Sequence, residues 1–250
     1  MSTATLVIEA TALSKSFRLP PVRRQTVREH ALDLFRSQPM ERISILDRLD
    51  FGVRRGESVG LMGRNGSGKS TLLKILTGIY APDSGQLVVR GKITPILELG
   101  VAFHPELDVV DNIFLLGTAM GLSLAEIRRR LPEFLAFAEL ERFARQKVQH
   151  LSSGMAARLA YAIAFNSVQE IVLLDEIFAV GDAAFQARCE ARFKELVAAG
   201  HTIVLVSHDH DTIARLCTRA VLLESGAIVD DGPAPRVAAA YLKLLSTRAE

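Results

Sequence analysis

Residues Ser58–Leu73 read SVGLMGRNGSGKSTLL. The first five, Ser58–Met62, are apolar or small and read as a buried strand. A glycine-rich turn follows, and Ser70–Leu76 reads as a helix. Gly63-Arg64-Asn65-Gly66-Ser67-Gly68-Lys69-Ser70 fits G-x-x-x-x-G-K-[ST] in the strand–turn–helix setting that this pattern requires. The glycines let the backbone curl until successive N–H groups face the β- and γ-phosphates of a nucleotide. The helix behind adds its positive end. Lys69 would set its ammonium on those phosphates, and the Ser70 hydroxyl would ligate Mg²⁺. The loop alone does not choose among kinases, GTPases and ATPases, but the chain has no Asn-Lys-x-Asp guanine reader.

Two further apolar runs, Ile171–Leu174 and Ile203–Val206, flank a helix-like stretch. Continuous apolar runs of strand length fit strands covered on both faces, hence a parallel sheet in an α/β core. The first run ends in Asp175-Glu176. Carboxylates at the end of a parallel strand reach the crevice where ligands bind. Asp175 is suited to the Mg²⁺ shell and Glu176 to polarising an attacking water. The second run ends in Ser207-His208-Asp209, and His208 could donate a hydrogen bond to the γ-phosphate or the water. Leu151–Phe165, LSSGMAARLAYAIAF, opens on small polar residues and closes as an apolar helix. The unpaired amides of such a start form an anion site.

The rest of the chain is consistent with one large domain. Leu6–Ala10 and Gln86–Val89 read as strands, Leu124–Phe143 as a small helical subdomain, and Arg236–Leu245 as a final helix. Val221–Leu223 and Ala227–Val229 flank Glu224-Ser225-Gly226 as a hairpin. Arg23–Ser37, bracketed by Pro20, Pro21 and Pro39, has Val27, Ala31, Leu34 and Phe35 at the spacing of an amphipathic helix. Lys plus Arg is 30 against 28 for Asp plus Glu, a net charge of +2, which gives no electrostatic case for nucleic acid. Two cysteines without metal-ligand spacing suggest a reducing compartment and no zinc. Nothing at the N-terminus reads as a signal peptide, and no apolar run reaches the ~20 residues of a membrane span.

With these residues in hand, the chain resembles the nucleotide-binding subunit of an ABC transporter over nearly its whole length, in motif order. Gly63–Ser70 resembles Walker A, Asp175-Glu176 the end of Walker B, and LSSGM at Leu151–Met155 the signature. Ala179-Val180-Gly181-Asp182 resembles the D-loop and His208 the switch histidine. Phe17, which alone reads as a core residue, fits the aromatic that follows a Lys-x pair (Lys15-Ser16) and stacks on adenine. Glu98-Leu99-Gly100, Phe103-His104-Pro105-Glu106-Leu107, SSGM and the Asp182–Phe185 spacing are similar to the polysaccharide-exporter branch. That branch exports capsular polysaccharide, O-antigen or teichoic-acid chains. Most cassettes carry a Q-loop glutamine, but no Gln lies between Gln86 and Gln146. Glu98 or His104 stands where it would be.

The resemblance implies a P-loop NTPase fold of the ABC ATPase type. It would have a mainly parallel core sheet, an antiparallel β subdomain and a helical subdomain at roughly 105–165. An amphipathic insertion would lie at roughly 22–38, all within one ATP-binding domain over 1–250. It implies ATP and Mg²⁺ held by Phe17, Gly63–Thr71 (Gly63, Arg64, Asn65, Gly66, Ser67, Gly68, Lys69, Ser70, Thr71) and Asp175. Ser152, Ser153, Gly154 and Asp182 complete the set, and Lys69, Glu176 and His208 are catalytic. It implies a homodimer on integral membrane permease subunits at the cytoplasmic face of the inner membrane, with glycan cargo handled mainly by the permease and no nucleic acid. An exporter of lipid or drug, or a soluble non-transport cassette, is the alternative.

Overall fold

The computed structural model describes residues 5–19, 41–97, 103–176 and 182–246. The amphipathic stretch Arg23–Ser37, Glu98 and Ala179–Gly181 lie outside the described residues.

The two apolar runs and Ser58–Met62 all become strands of one six-stranded sheet. In chain order its strands are β3 (Ser58–Met62), β5 (Ile93–Ile96), β6 (Ile171–Asp175), β7 (Thr202–Val206), β8 (Arg219–Glu224) and β9 (Ala227–Pro233), and its spatial order is β5-β6-β7-β3-β8-β9. All neighbours are parallel except β8 and β9, the hairpin legible around Ser225-Gly226. The central strands β3, β6 and β7 and the middle of β8 are largely apolar because each face meets a different core. Val172 and Leu174, Ile203 and Leu205, and Ala220 and Leu222 enter a cluster with Phe165, Phe185 and Phe193. Their alternates Ile171 and Leu173, Val204 and Val206, and Val221 and Leu223 enter a second cluster with Leu72 and Leu73. Period-two alternation thus feeds two cores instead of one core and water.

The second cluster is closed by a three-stranded antiparallel sheet, β2-β1-β4, formed by β1 (Leu6–Leu19), β2 (Glu41–Arg54) and β4 (Ser84–Val89). Between the sheets runs α1 (Lys69–Leu76). β1 is longer than the apolar Leu6–Ala10 suggests. Its polar half, Ser14–Arg18, is held in a strand by pairing with β2, which local hydrophobicity does not report.

A third core joins α2 (Val109–Ala119), α3 (Leu124–Ala138) and one face of α4 (Ser153–Asn166) through Ile113, Ile127, Phe134, Leu159 and Ile163. Another face of α4 meets the main core, where Tyr161 and Phe165 pack. Leu159–Asn166 is therefore buried all round. Leu124–Phe143 is not one helix. α3 stops at Ala138, Glu139 turns left-handed (φ 58°), and a short 3₁₀ turn covers Glu141–Phe143. Two further helices, α5 (Ala183–Ala198) and α6 (His210–Leu216), and the final α7 (Ala234–Ser246) cover the outer face of the main sheet.

Candidate functional site

The loop after β3 is packed from three sides. Gly63 has φ 150°, and a Cβ there would lie 2.2 Å from the Leu223 carbonyl oxygen of β8. The Gly226 amide of the β8–β9 turn donates to the Ser67 carbonyl at 3.1 Å, and the Gly226 carbonyl accepts from Asp47 of β2 at 3.2 Å. A Cβ on Gly226 would lie 2.4 Å from the Ile45 carbonyl oxygen. Ser16 pairs with Ser44 but Lys15 with Leu46, so Ile45 is the extra residue of a bulge. Bulges re-aim side chains beside active sites, and Ile45 lines the pocket above the loop together with Gly66, Lys69, Ser70 and Thr71. Sequence reading found the loop but neither Ile45 nor Gly226. A glycine in a hairpin turn explains itself locally, and a bulge leaves no pattern.

Lys69 is buried, and its Nζ donates to the carbonyls of Gly63 at 2.7 Å and Arg64 at 2.9 Å. Burial lowers its pKa from the ordinary lysine value, while the charges of Glu176 and Asp175 oppose that shift. Both carboxylates thus act electrostatically on the ammonium that the sequence assigned to phosphate.

Parallel register assembles the rest. Asp175 of β6 lies opposite Val206 of β7, and the Glu176 amide donates to the Val206 carbonyl at 3.0 Å. The residue after β6 is therefore held beside the turn after β7, and Glu176 Oε1 lies 2.5 Å from His208 Nε2. Glu176 and His208 both line the pocket above the phosphate loop. Glu176 has φ 50°, left-handed for a residue with a side chain. Such backbone is retained where the surroundings dictate it, commonly at functional sites.

Ser152, Ser153 and Gly154 are placed differently. They do not line the loop pocket. Ser152 caps α4, its hydroxyl oxygen accepting from the Met155 amide at 3.2 Å. That leaves the Ser153 and Gly154 amides, and the Ser152 hydroxyl as donor, at the open helix start. The Met155 side chain packs against the α2–α3–α4 core, which explains an apolar residue there. Asp182 caps α5, accepting from Phe185 at 2.9 Å, and pairs with Arg158 of α4 at 2.5 Å. Phe17 is half-buried with its ring 5.4 Å from that of Tyr80, the planes at 68°. His104 is exposed, and its backbone is gripped by fully buried Asn112, which accepts from its amide at 2.8 Å and donates to its carbonyl at 3.1 Å.

A strand–loop–helix anion cradle, paired carboxylates after a buried strand, and a histidine from the next strand belong to one pattern of nucleotide site. The ABC transporter family matches this chain over residues 46–179. The chain belongs to the ABC transporter family. Among curated proteins it is similar to the ABC transporter protein AbcA of Aeromonas salmonicida, 44% identical over 79% of this chain and 64% of that protein. The O-antigen export system ATP-binding protein RfbB of Myxococcus xanthus is 39% identical over 93% of this chain and 54% of that one. RfbE of Yersinia enterocolitica, of the same description, is 40% identical over 76% and 79%. The chain spans less than two thirds of the length of the first two. Among solved structures, an ATP-binding subunit of an ABC transporter superposes with a TM-score of 0.74 at 28% identity, over 94% of this chain and 93% of that one. A dimeric cassette in a post-hydrolysis state with ADP and Pi gives 0.72 at 25% identity, over 91% and 98%. The ABC ATPase fold and the exporter-branch likeness expected from the sequence are thus both found. Among the described residues no helix is long and apolar enough to cross a membrane.

Proposed function

We propose that this cassette hydrolyses ATP to drive export of a polysaccharide or lipid-linked glycan. The observation that carries the ATPase reading is the convergence of Lys69, Glu176 and His208 on one pocket, with Glu176 and His208 2.5 Å apart. Amides of Gly63–Thr71 and the Lys69 ammonium hold the phosphates. Glu176 accepts a proton from the water that attacks the γ-phosphorus. His208 holds Glu176 and donates toward the γ-phosphate. Ser70 and Asp175 offer the oxygen donors that Mg²⁺ prefers, and Mg²⁺ there would neutralise phosphate charge. Phe17 stacks on the base.

The site is completed by a second copy, placed head to tail. The open helix start at Ser152, Ser153 and Gly154 lines no pocket with its own phosphate loop, which suits donation to a γ-phosphate held by the other subunit. Asp182, paired with Arg158, ties that helix to the start of α5. The contact lasts only while the γ-phosphate does, so binding closes the dimer and hydrolysis opens it. The names of the relatives support a glycan as cargo, handled mainly by an integral membrane permease, with the cassette peripheral at the cytoplasmic face of the inner membrane and no role for nucleic acid.

Glu176→Gln tests the chemistry. Turnover should fall by about 100-fold or more, the usual worth of a general base, while ATP binding persists and the variant sediments as an ATP-dependent dimer. Unchanged turnover would remove Glu176 from its role. A cell that lacks the cassette and still displays its surface glycan would remove the cargo.

A further inference from the structure

Beside Phe17 lies a polar cluster that the sequence did not single out. Asp83, in the turn before β4, accepts four hydrogen bonds from the described residues. Lys15 Nζ donates to Oδ1 at 3.0 Å. The Ser16 amide at 2.9 Å, the Ser16 hydroxyl at 2.6 Å and Arg42 Nη2 at 3.1 Å all donate to Oδ2. Lys15 Nζ also donates to the Ala81 carbonyl at 2.8 Å, and Arg42 Nε to the Ser16 hydroxyl oxygen at 2.5 Å. The donors flank Phe17 from both sides: Lys15 and Ser16 precede it on β1, and Arg42 adjoins Ile43, the residue paired with Phe17 across β2. The same turn begins with Tyr80, whose ring meets that of Phe17 at 5.4 Å, and Lys15 Nζ lies 5.5 Å from the Phe17 ring centre.

One carboxylate therefore ties β1, β2 and the Tyr80–Asp83 turn around one aromatic ring. We infer that Asp83 is a positioning residue for the base platform: its clasp on Lys15, Ser16 and Arg42 fixes the Phe17 ring against Tyr80 and so sets how tightly the cassette holds the base of its nucleotide. Hydrogen bonds from Ser16 and Lys15 hold the Asp83 carboxyl well below the usual carboxylate range, so the clasp stays charged at every pH where the cassette would work. Fixing a side chain before binding removes the ordering cost from the binding step. Among the described residues none of the clasp's hydrogen bonds reaches the phosphate loop, so its effect belongs to the base and not to the phosphates.

The inference rests on the reading of Phe17 as the base contact, and the two are separable by comparing Mg-ATP with Mg-tripolyphosphate, which has phosphates but no base. Binding of each is measured by calorimetry to the cassette, Phe17→Ala, Asp83→Ala, Asp83→Asn and the Phe17→Ala/Asp83→Ala double variant. Phe17→Ala should weaken ATP about tenfold, the scale of one base–aromatic stack, and leave tripolyphosphate unchanged. Asp83→Ala should do most of the same, raise the KM for ATP with kcat retained, and add little in the Phe17→Ala background. Asp83→Asn, which keeps one acceptor oxygen, should fall between. If Phe17→Ala does not discriminate the two ligands, the base reading fails and the inference with it. If Phe17→Ala discriminates but Asp83→Ala does not, or weakens both ligands alike, only the role of Asp83 is overturned.

Discussion

Gly154 shows what a single residue discloses once its surroundings are known. Among the described residues a Cβ there would meet only the Ser152 hydroxyl oxygen, at 4.0 Å, so none of them requires a glycine at the start of α4. Glycine in a helix is less stable than alanine by up to about 1 kcal/mol. Gly154→Ala should therefore raise the midpoint of urea unfolding of the isolated cassette slightly while lowering its ATP turnover, if the space serves the proposed γ-phosphate of a second copy. A variant as active as the original would place the approaching phosphate elsewhere. Met155→Gln, which loses packing against the helical core but keeps the capped amide, should be better tolerated than Gly154→Val. The phosphate-loop residues were legible one by one because each answers to a local demand. Gly226 and Asp83 were not, since their partners lie 159 and 68 residues away in the chain at Ser67 and Lys15.

Elements form here for reasons of unequal visibility. α3 begins with a capping box: the Ser123 hydroxyl oxygen accepts from the Glu126 amide at 3.2 Å, and Glu126 Oε2 accepts from the Ser123 amide at 2.8 Å. Ser123→Ala should cost about 1 kcal/mol, read as a lower urea midpoint with an unchanged slope. No loss would mean that packing of Ile127 and Phe134 alone holds the helix. The end of α3 is set from afar. Glu139, left-handed at φ 58°, is gripped by Arg158 of α4 and Arg188 of α5, which explains why the periodic stretch to Phe143 breaks there. Strands buried on both faces were readable from their unbroken hydrophobicity. The polar half of β1 and the Ile45 bulge were not, because pairing and not pattern makes them strand.

Across the whole molecule, the helical core is joined to the main core by α4, which contributes to both, and by the Glu139–Arg158–Asp182 ion pairs. These pairs tie the N-terminal half of α4 to the start of α5 and to the end of α3. Ligand binding should register globally. At Mg-ATP one hundred times its Kd the native state should gain about 2.7 kcal/mol, seen as a higher denaturation midpoint. Lys69→Ala should forfeit that gain, because the cation assigned to the phosphates is removed. An equal gain in the variant would detach Lys69 from nucleotide binding. The amino-acid sequence by itself determined the glycine-rich strand–loop–helix, the acidic strand end, the histidine after β7 and the two-faced sheet, because each is a short-range pattern of conformational freedom, charge or hydrophobicity. Only the tertiary structure decided that Glu176 meets His208, that Gly226 and Ile45 buttress the loop, and that Asp83 clasps the ring platform. Those contacts depend on strand register and chain crossings, which bring distant residues together without leaving a mark in either neighbourhood.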